Sequence, residues 1–295
     1  MNLSLSRSFP IAKAALAAAV IACVVALTCS LAGCASGGTG SSSADADNTS
    51  ASTDGKTLRV AMELAYPPFE TKDDAGNPEG LAVDFIRDFG AAYGYDVQIE
   101  NTAWDGLIPS LQSDKADLVI SSMTITDERK QSVDFSDAYA MAQLAILANA
   151  DSGVASIDDL NQPGKKVAVK TGSTGDVCAT KNLTNAEIVR LADESACVTE
   201  VVQDKADGFL YDQLTIYRNH QANPDTTEAV FIPFQDAEEW GIAVKKGDTE
   251  LLDQLNAFIA QSKTDGEFDR LTEKYLADEK KAFDQYGFKW FFDFE

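Results

Sequence analysis

The chain has 295 residues, and its 47 Asp and Glu outnumber its 24 Lys and Arg, giving a formal net charge of −23. That balance excludes nucleic acid as a default partner, because phosphate backbones are held by clustered cations. One histidine, His220, excludes a His-rich metal centre and leaves any histidine-dependent catalysis to a single side chain, whereas 45% apolar residues are ample for a packed core. Neither a metal nor a cofactor is expected.

Acidic residues are absent before Asp45, and Arg7 and Lys13 precede an apolar stretch from Ala14 to Leu27 that is too short for a good membrane span. Residues 1–33 therefore read as a secretory signal peptide. The stretch runs to Leu31-Ala32-Gly33-Cys34, which resembles the lipobox of bacterial lipoproteins. The resemblance implies cleavage before Cys34, diacylation of its thiol, and an extracytoplasmic protein anchored by lipid to the outer face of the cytoplasmic membrane. From Ala35 to Gly55 only Ser, Gly, Thr, Ala, Asp and Asn occur, so residues 34–55 cannot bury a core and read as a flexible tether with a reach of roughly 25 Å. An acidic body is repelled by anionic lipid, so the acyl chains have to do the anchoring.

Beyond the tether, period-two apolar runs alternate with helical patterns. Leu58 to Met62 reads as a strand, Gly80 to Tyr93 as a helix, Val97 to Glu100 as a strand, Trp104 to Gln112 as a helix and Asp117 to Ile120 as a strand. A second unit of the same kind has strand Lys166 to Lys170, a helix from Thr174, strand Glu187 to Leu191, helix Glu194 to Lys205 and strand Asp207 to Leu210. Strand Trp240 to Val244 and helices Asp248 to Lys263 and Glu267 to Leu276 have no third sheet to cover, so the chain returns to the first unit.

The expected fold is α/β. Two open lobes, residues 56–138 with 241–276 and residues 144–235, are joined by extended hinge crossings at 139–143 and 236–240 with a cleft between them. Residues 277–295 carry Phe283, Tyr286, Phe288, Trp290, Phe291, Phe292 and Phe294, too much aromatic area to stay solvated, and are expected to pack on the first lobe.

Several short motifs follow in order. They are Tyr66-Pro67-Pro68-Phe69-Glu70, Trp104-Asp105-Gly106-Leu107-Ile108-Pro109, Thr124-Ile125-Thr126-Asp127-Glu128-Arg129 leading into Val133-Asp134-Phe135-Ser136-Asp137, Lys170-Thr171-Gly172-Ser173-Thr174-Gly175, Ala206-Asp207 with Asp212 downstream, and Gly241 to Asp248. Each is weak alone. In this order, behind the Cys34 motif, they make the chain resemble the family 3 solute-binding proteins of amino-acid ABC importers, of type II periplasmic-binding-protein fold, over Leu58 to Leu276.

The resemblance implies a monomeric binding protein, not an enzyme, that takes a free amino acid and delivers it to the transmembrane subunits of an ABC permease. Two alternatives stay open: a binding protein that presents its ligand to a separate sensor, and a dehydratase-like enzyme on the same fold.

An α-amino acid offers a carboxylate, an ammonium and a side chain, and the sequence supplies partners for each. Thr126 is a suitable N-cap, with Asp127 and Glu128 behind it, which puts Arg129 at a helix start. On residue chemistry alone the Arg129 fork either pairs with one of the chain's own acids or receives a carboxylate; the resemblance implies the second. Gly172 to Gly175 follows a strand and opens a helix whose free N–H groups can take an anion or simply make a turn. The resemblance implies that Ser173 and Thr174 share a carboxylate with Arg129, that Asp212 takes the ammonium with help from Ser122 and Thr124, and that Tyr66 and Trp104 sandwich the side chain. Glu63, Ser121, Lys170 and Tyr211 would read that side chain. A Glu63–Lys170 pair across the cleft would leave room for a polar, uncharged one. Neither Arg129 nor Asp212 is expected in the core. Cys178 and Cys197 lie near helix starts on neighbouring units of a secreted chain, and a disulfide between them stands level with two buried thiols.

Overall fold

The computed structural model describes residues 56–286 and 289–294. The expected signal peptide, the tether, Cys34 and Phe288 lie outside the described residues. The chain opens with β1 (Lys56–Met62), the short hairpin strands β2 (Thr71–Lys72) and β3 (Pro78–Glu79), α1 (Leu81–Tyr93) and β4 (Tyr95–Asn101). A 3-10 turn over Trp104–Gly106 leads into α2 (Leu107–Gln112), so the expected helix from Trp104 begins as a tighter coil. β5 (Leu118–Val119), α3 (Asp127–Lys130), β6 (Val133–Phe135) and β7 (Ala140–Ala142) follow.

The second unit holds β8 (Leu144–Asn149), α4 (Ile157–Leu160), β9 (Lys166–Lys170), α5 (Thr174–Asn182), β10 (Glu187–Leu191), α6 (Glu194–Val202), β11 (Gly208–Asp212), α7 (Gln213–Ala222) and β12 (Thr227–Val230). The return comprises β13 (Glu238–Trp240), β14 (Ala243–Lys245), α8 (Thr249–Asp265), α9 (Glu267–Tyr275) and α10 (Ala277–Tyr286). Among the described residues no helix is long and apolar enough to cross a membrane.

Two five-stranded sheets result, β4-β1-β5-β14-β6 and β10-β9-β11-β8-β12. β1 runs parallel to both its neighbours, and Val60, Ala61 and Met62 are buried, as expected of a strand covered on both faces. β7 and β13 pair antiparallel as a two-stranded ribbon linking the sheets. The expected strand Trp240 to Val244 is therefore two strands: β13 belongs to the ribbon and β14 to the first sheet. The break falls at Gly241, where a Cβ would lie 2.8 Å from the Ile125 side chain.

Each unit has its own core, and Leu214 of α7 joins the first one. α1, α8 and α9 bury Phe85, Phe89, Phe258 and Phe268 against the first sheet. In the second sheet the chain moves outward from β9 to β10 and then back past β9 to β11, so two right-handed crossovers put α5 and α6 on opposite faces. Ala179 and Leu183 of α5 pack with Val167, Val169 and Leu210, whereas Cys197 and Val201 of α6 pack with Leu147, Ala168 and Phe209. This arrangement decides between the two readings of the cysteines: Cys178 and Cys197 are both buried free thiols, on helices packed against opposite faces of the sheet. A bridge needs Cα atoms within roughly 7 Å of each other, which helices on opposite faces cannot offer.

Phe283, Trp290 and Phe291 join the first core, where the Phe291 ring meets Phe69 and Trp240 at centroid distances of 5.1 and 5.5 Å. Met141 N in β7 donates to the Phe291 carbonyl at 2.7 Å. The same segment also reaches the second unit. Tyr217 of α7 meets Phe283 edge-on, and Arg218 pairs with Glu279 at 2.8 Å while donating to the Pro67 carbonyl at 3.0 Å.

Candidate functional site

Strands β1, β4, β5, β9 and β11 all end at one pocket, at the carboxyl-end position where open α/β sheets place their ligands. The pocket encloses about 500 Å³, part of it open to solvent, and is lined from both units and from the ribbon. Eleven of the side chains singled out in the sequence line it: Glu63, Tyr66, Trp104, Ser121, Ser122, Thr124, Arg129, Ser173, Thr174, Tyr211 and Asp212. Lys170 reaches it by pairing with Glu63.

Thr126 caps α3, its Oγ1 accepting from Arg129 N at 3.2 Å. The guanidinium is thereby aimed across the cleft. Nη1 donates to the Thr124 carbonyl at 2.7 Å, Nη2 donates to the Gly172 carbonyl of the other unit at 3.1 Å, and the Trp104 ring centroid lies 5.2 Å from the guanidinium carbon. Burial lowers the Arg129 pKa, with Glu238 opposing. Even so, a guanidinium keeps its charge.

The anion-receiving loop is narrower than its glycines suggest. Gly172 N donates to Asp176 Oδ2 at 3.1 Å and Ser173 N to the Lys170 carbonyl at 3.1 Å, while Ser173 Oγ caps α5 by accepting from Asp176 N at 3.2 Å. An anion can therefore be met only by the first helical turn, Thr174 and Gly175, and by the Thr174 hydroxyl.

Asp212 ends β11 and caps α7. Its Oδ1 accepts from Leu214 N at 2.9 Å and Thr215 N at 3.0 Å, while Oδ2 is buried without a hydrogen-bond partner among the described residues. The Tyr66 hydroxyl is likewise buried and unpartnered by hydrogen-bond geometry. Burial raises the Asp212 carboxyl, with its backbone hydrogen bonds and the nearby Tyr66 hydroxyl opposing. The expectation that Asp212 lies outside the core is corrected, since only 5% of its surface is exposed. A cap at a strand end has to be buried when the next helix packs straight back onto the sheet. Tyr66 also belongs more to the core than to a loop, stacking on Phe69 at 5.4 Å.

Lys170 and Glu63 form an ion pair across the cleft, and Lys170 Nζ lies 5.3 Å from the Trp104 centroid, so Trp104 faces two cations. Deeper in, Glu70 accepts from Ser122 Oγ at 3.1 Å and Ser121 Oγ at 3.5 Å. Ser122 holds a left-handed φ of 47°, a strained conformation for a residue with a side chain. Burial pushes the Glu70 carboxyl well above the usual carboxylate range, toward its neutral form.

Three acids escape the sequence reading. Glu70 sits inside the Tyr66-Pro67-Pro68-Phe69-Glu70 motif but carries no pattern marking it as buried. Glu194 opens α6 and is pushed up to about 8 by burial, with Lys170 opposing. Glu238 stands in a crossing read only as hinge, although three acids within Asp236 to Glu239 of a linking strand were a visible signal. Its Oε2 accepts from the Thr124 and Thr174 hydroxyls at 2.8 and 2.7 Å.

The family description "bacterial extracellular solute-binding proteins, family 3" matches residues 58–278. A probable histidine-binding protein of Neisseria gonorrhoeae is 36% identical over 86% of this chain and 94% of its own length. An L-arginine-binding protein of Pseudomonas aeruginosa is 33% identical over 79% of this chain and 90% of its own. Among solved structures, an ancestral arginine-binding protein bound to arginine superposes with a TM-score of 0.69 at 36% identity, covering 75% of this chain and 98% of that one. An ancestral amino acid-binding protein described as a precursor of cyclohexadienyl dehydratase gives 0.68 at 38%, covering 74% and 94%. These are type II periplasmic-binding folds, and two α/β units joined by a ribbon are the same architecture. On sequence match and fold together, this chain belongs to the bacterial extracellular solute-binding proteins of family 3.

Proposed function

We propose that this protein binds a free α-amino acid in the cleft between its two units and hands it to an ABC permease from a lipid anchor at Cys34. The observation that carries the reading is Asp212 Oδ2, a buried acceptor with no hydrogen-bond partner among the described residues, which lines the same pocket as Arg129 and the first turn of α5. Buried polar atoms are normally satisfied, and an ammonium group is the partner that suits a carboxylate oxygen. The ligand's carboxylate would lie between Arg129, Thr174 and the N–H groups of the first helical turn. Its side chain would lie between Tyr66 and Trp104.

A polar, uncharged side chain is favoured. Glu63 is already neutralised by Lys170, and burial drives Glu70 toward its neutral form, so the far end of the pocket offers hydrogen bonds more than net charge. The relatives include proteins described as binding histidine, L-cystine and L-arginine, so charged and larger side chains belong in the comparison.

Thermal-shift screening of residues 56–295 against all amino acids, followed by calorimetry on the hits, tests the reading. A ligand that binds only the folded form raises the melting temperature. Absence of any shift across the set would overturn it. The anchor is tested separately with a fatty-acid analogue, which should label the full chain and not Cys34→Ala.

A further inference from the structure

Thr124 follows β5 of the first unit, Thr174 opens α5 of the second, and Glu238 stands between them in the ribbon. A single oxygen, Glu238 Oε2, accepts from both hydroxyls, at 2.8 and 2.7 Å. The other oxygen accepts from Gln235 Nε2 at 2.7 Å, and the Gln235 carbonyl accepts from Gln143 Nε2 at 2.7 Å, so the carboxylate is tied to both crossings. Its charge lies near enough to Arg129 to oppose the effect of burial on that guanidinium. Glu238 thus holds what the reading above assigns to the ligand's carboxylate: the Thr174 hydroxyl at a helix start and the field of Arg129.

Two carboxylates cannot share one set of donors in a desolvated site, because like charges at such range disfavour each other strongly. We infer that Glu238 is a resident occupant of the ligand's carboxylate subsite, which closes the cleft by joining Thr124 to Thr174 and has to swing out when an amino acid enters. The inference rests on the proposed amino-acid binding at this pocket. Physically, a closed cleft without ligand would strand buried donors, and the Glu238 carboxylate satisfies them. The cost appears in affinity. Any interaction made only by a ligand-incompatible state lowers the fraction of protein ready to bind.

This gives Glu238 the opposite sign from Asp212. Removing an acid that receives the ligand's ammonium weakens binding, whereas removing an acid that competes with the ligand's carboxylate strengthens it. The test compares Glu238→Gln and Glu238→Ala with the wild type by calorimetry, using L-glutamine and L-arginine as probes. Small-angle scattering of the same proteins without ligand supplies a second arm, and melting curves show that each variant is folded.

The expected result is affinity at least about fivefold tighter in Glu238→Ala, with Glu238→Gln between it and the wild type. The ligand-free radius of gyration should rise in Glu238→Ala and fall to the wild-type bound value on saturation. Unchanged or weaker affinity in both variants would overturn the inference and make Glu238 a ligand contact or a bystander. If the wild type bound neither probe, the scattering arm would still decide on the clamp: identical ligand-free dimensions for wild type and Glu238→Ala would overturn it. Failure of the wild type to bind any amino acid bears instead on the proposed function.

Discussion

Lys170 and Glu63 come from different units and pair inside the pocket, where their side chains are only 3% and 13% exposed. A buried pair broken on one side leaves an uncompensated charge, worth about 3–5 kcal/mol. Glu63→Gln should therefore destabilise the closed form more than the double variant Glu63→Gln/Lys170→Met does. Lys170→Met alone frees the Glu63 carboxylate beside Trp104, and calorimetry should show selectivity moving toward L-arginine and L-lysine by at least tenfold. Unaltered selectivity would remove the pair from the specificity argument.

Arg129→Ala and Asp212→Asn should each cost about 2–5 kcal/mol of binding, roughly 30- to several-thousand-fold in affinity. Asp212→Ala should in addition lose about 1 kcal/mol of stability, because Asp212 Oδ1 caps α7. Asn retains a capping oxygen. Calorimetry and urea melts on the three variants separate ligand contact from cap, and unchanged affinity in both Arg129→Ala and Asp212→Asn would refute the site.

Stability of the ligand-free protein should fall with rising pH. Glu194 is pushed up to about 8 from an ordinary 4.5, chiefly by burial, with Asp212 and Glu63 adding and Lys170 and Tyr211 opposing. The folded protein holds this proton more tightly than the unfolded chain. Its contribution is therefore complete below pH 4.5 and lost as the pH approaches about 8, at up to about 1.4 kcal/mol per pH unit. Glu194→Gln should flatten that slope in denaturant melts taken between those limits.

With α5 and α6 on opposite faces of a sheet, residues 56–295 should yield two thiols per chain on denaturation without reductant, and almost none while folded. Burial pushes the Cys197 thiol up to about 12, so it stays protonated and slow to alkylate at pH 8. A mass decrease of two hydrogens in the purified protein would signal a bridge and contradict the topology.

Phe291 is fully buried among Phe69, Trp240, Phe283 and Trp290. Phe291→Ala should cost about 3–5 kcal/mol in a denaturant melt. A cost below 1 kcal/mol would mean that the chain end is an ornament to the first core.

Periodicity located β4 well because Tyr95, Val97 and Ile99 alternate with Asp96, Gln98 and Glu100, and it located β1 and β9 because polar and turn residues bound their short apolar runs. It missed β8, whose six residues are all buried in mid-sheet and which lacks the alternation that identifies a strand. It also missed α7, which follows β11 with no loop between, so Asp212, which by pattern lies beyond a strand ending at Leu210, is both the last residue of β11 and the cap of α7. The pocket's polar side chains were legible through their motifs. The Glu63–Lys170 pair was legible from its opposite charges; what could not be read was which of the others are committed to one another: Glu70 to Ser122, Glu238 to two threonines. Such pairings join residues up to 114 positions apart and depend on how the units meet.

The strand order carries a consequence for how the molecule is made. All of β8 to β12 comes from one stretch of chain, so that sheet can assemble as soon as Val230 is available. The other sheet needs β14 from beyond it, and its core needs Phe258 of α8 and Phe268 of α9. An emerging chain thus holds an unfinished β1-β4-β5 platform, with Phe85 and Phe89 waiting for Phe258 and Phe268, until α8 and α9 follow.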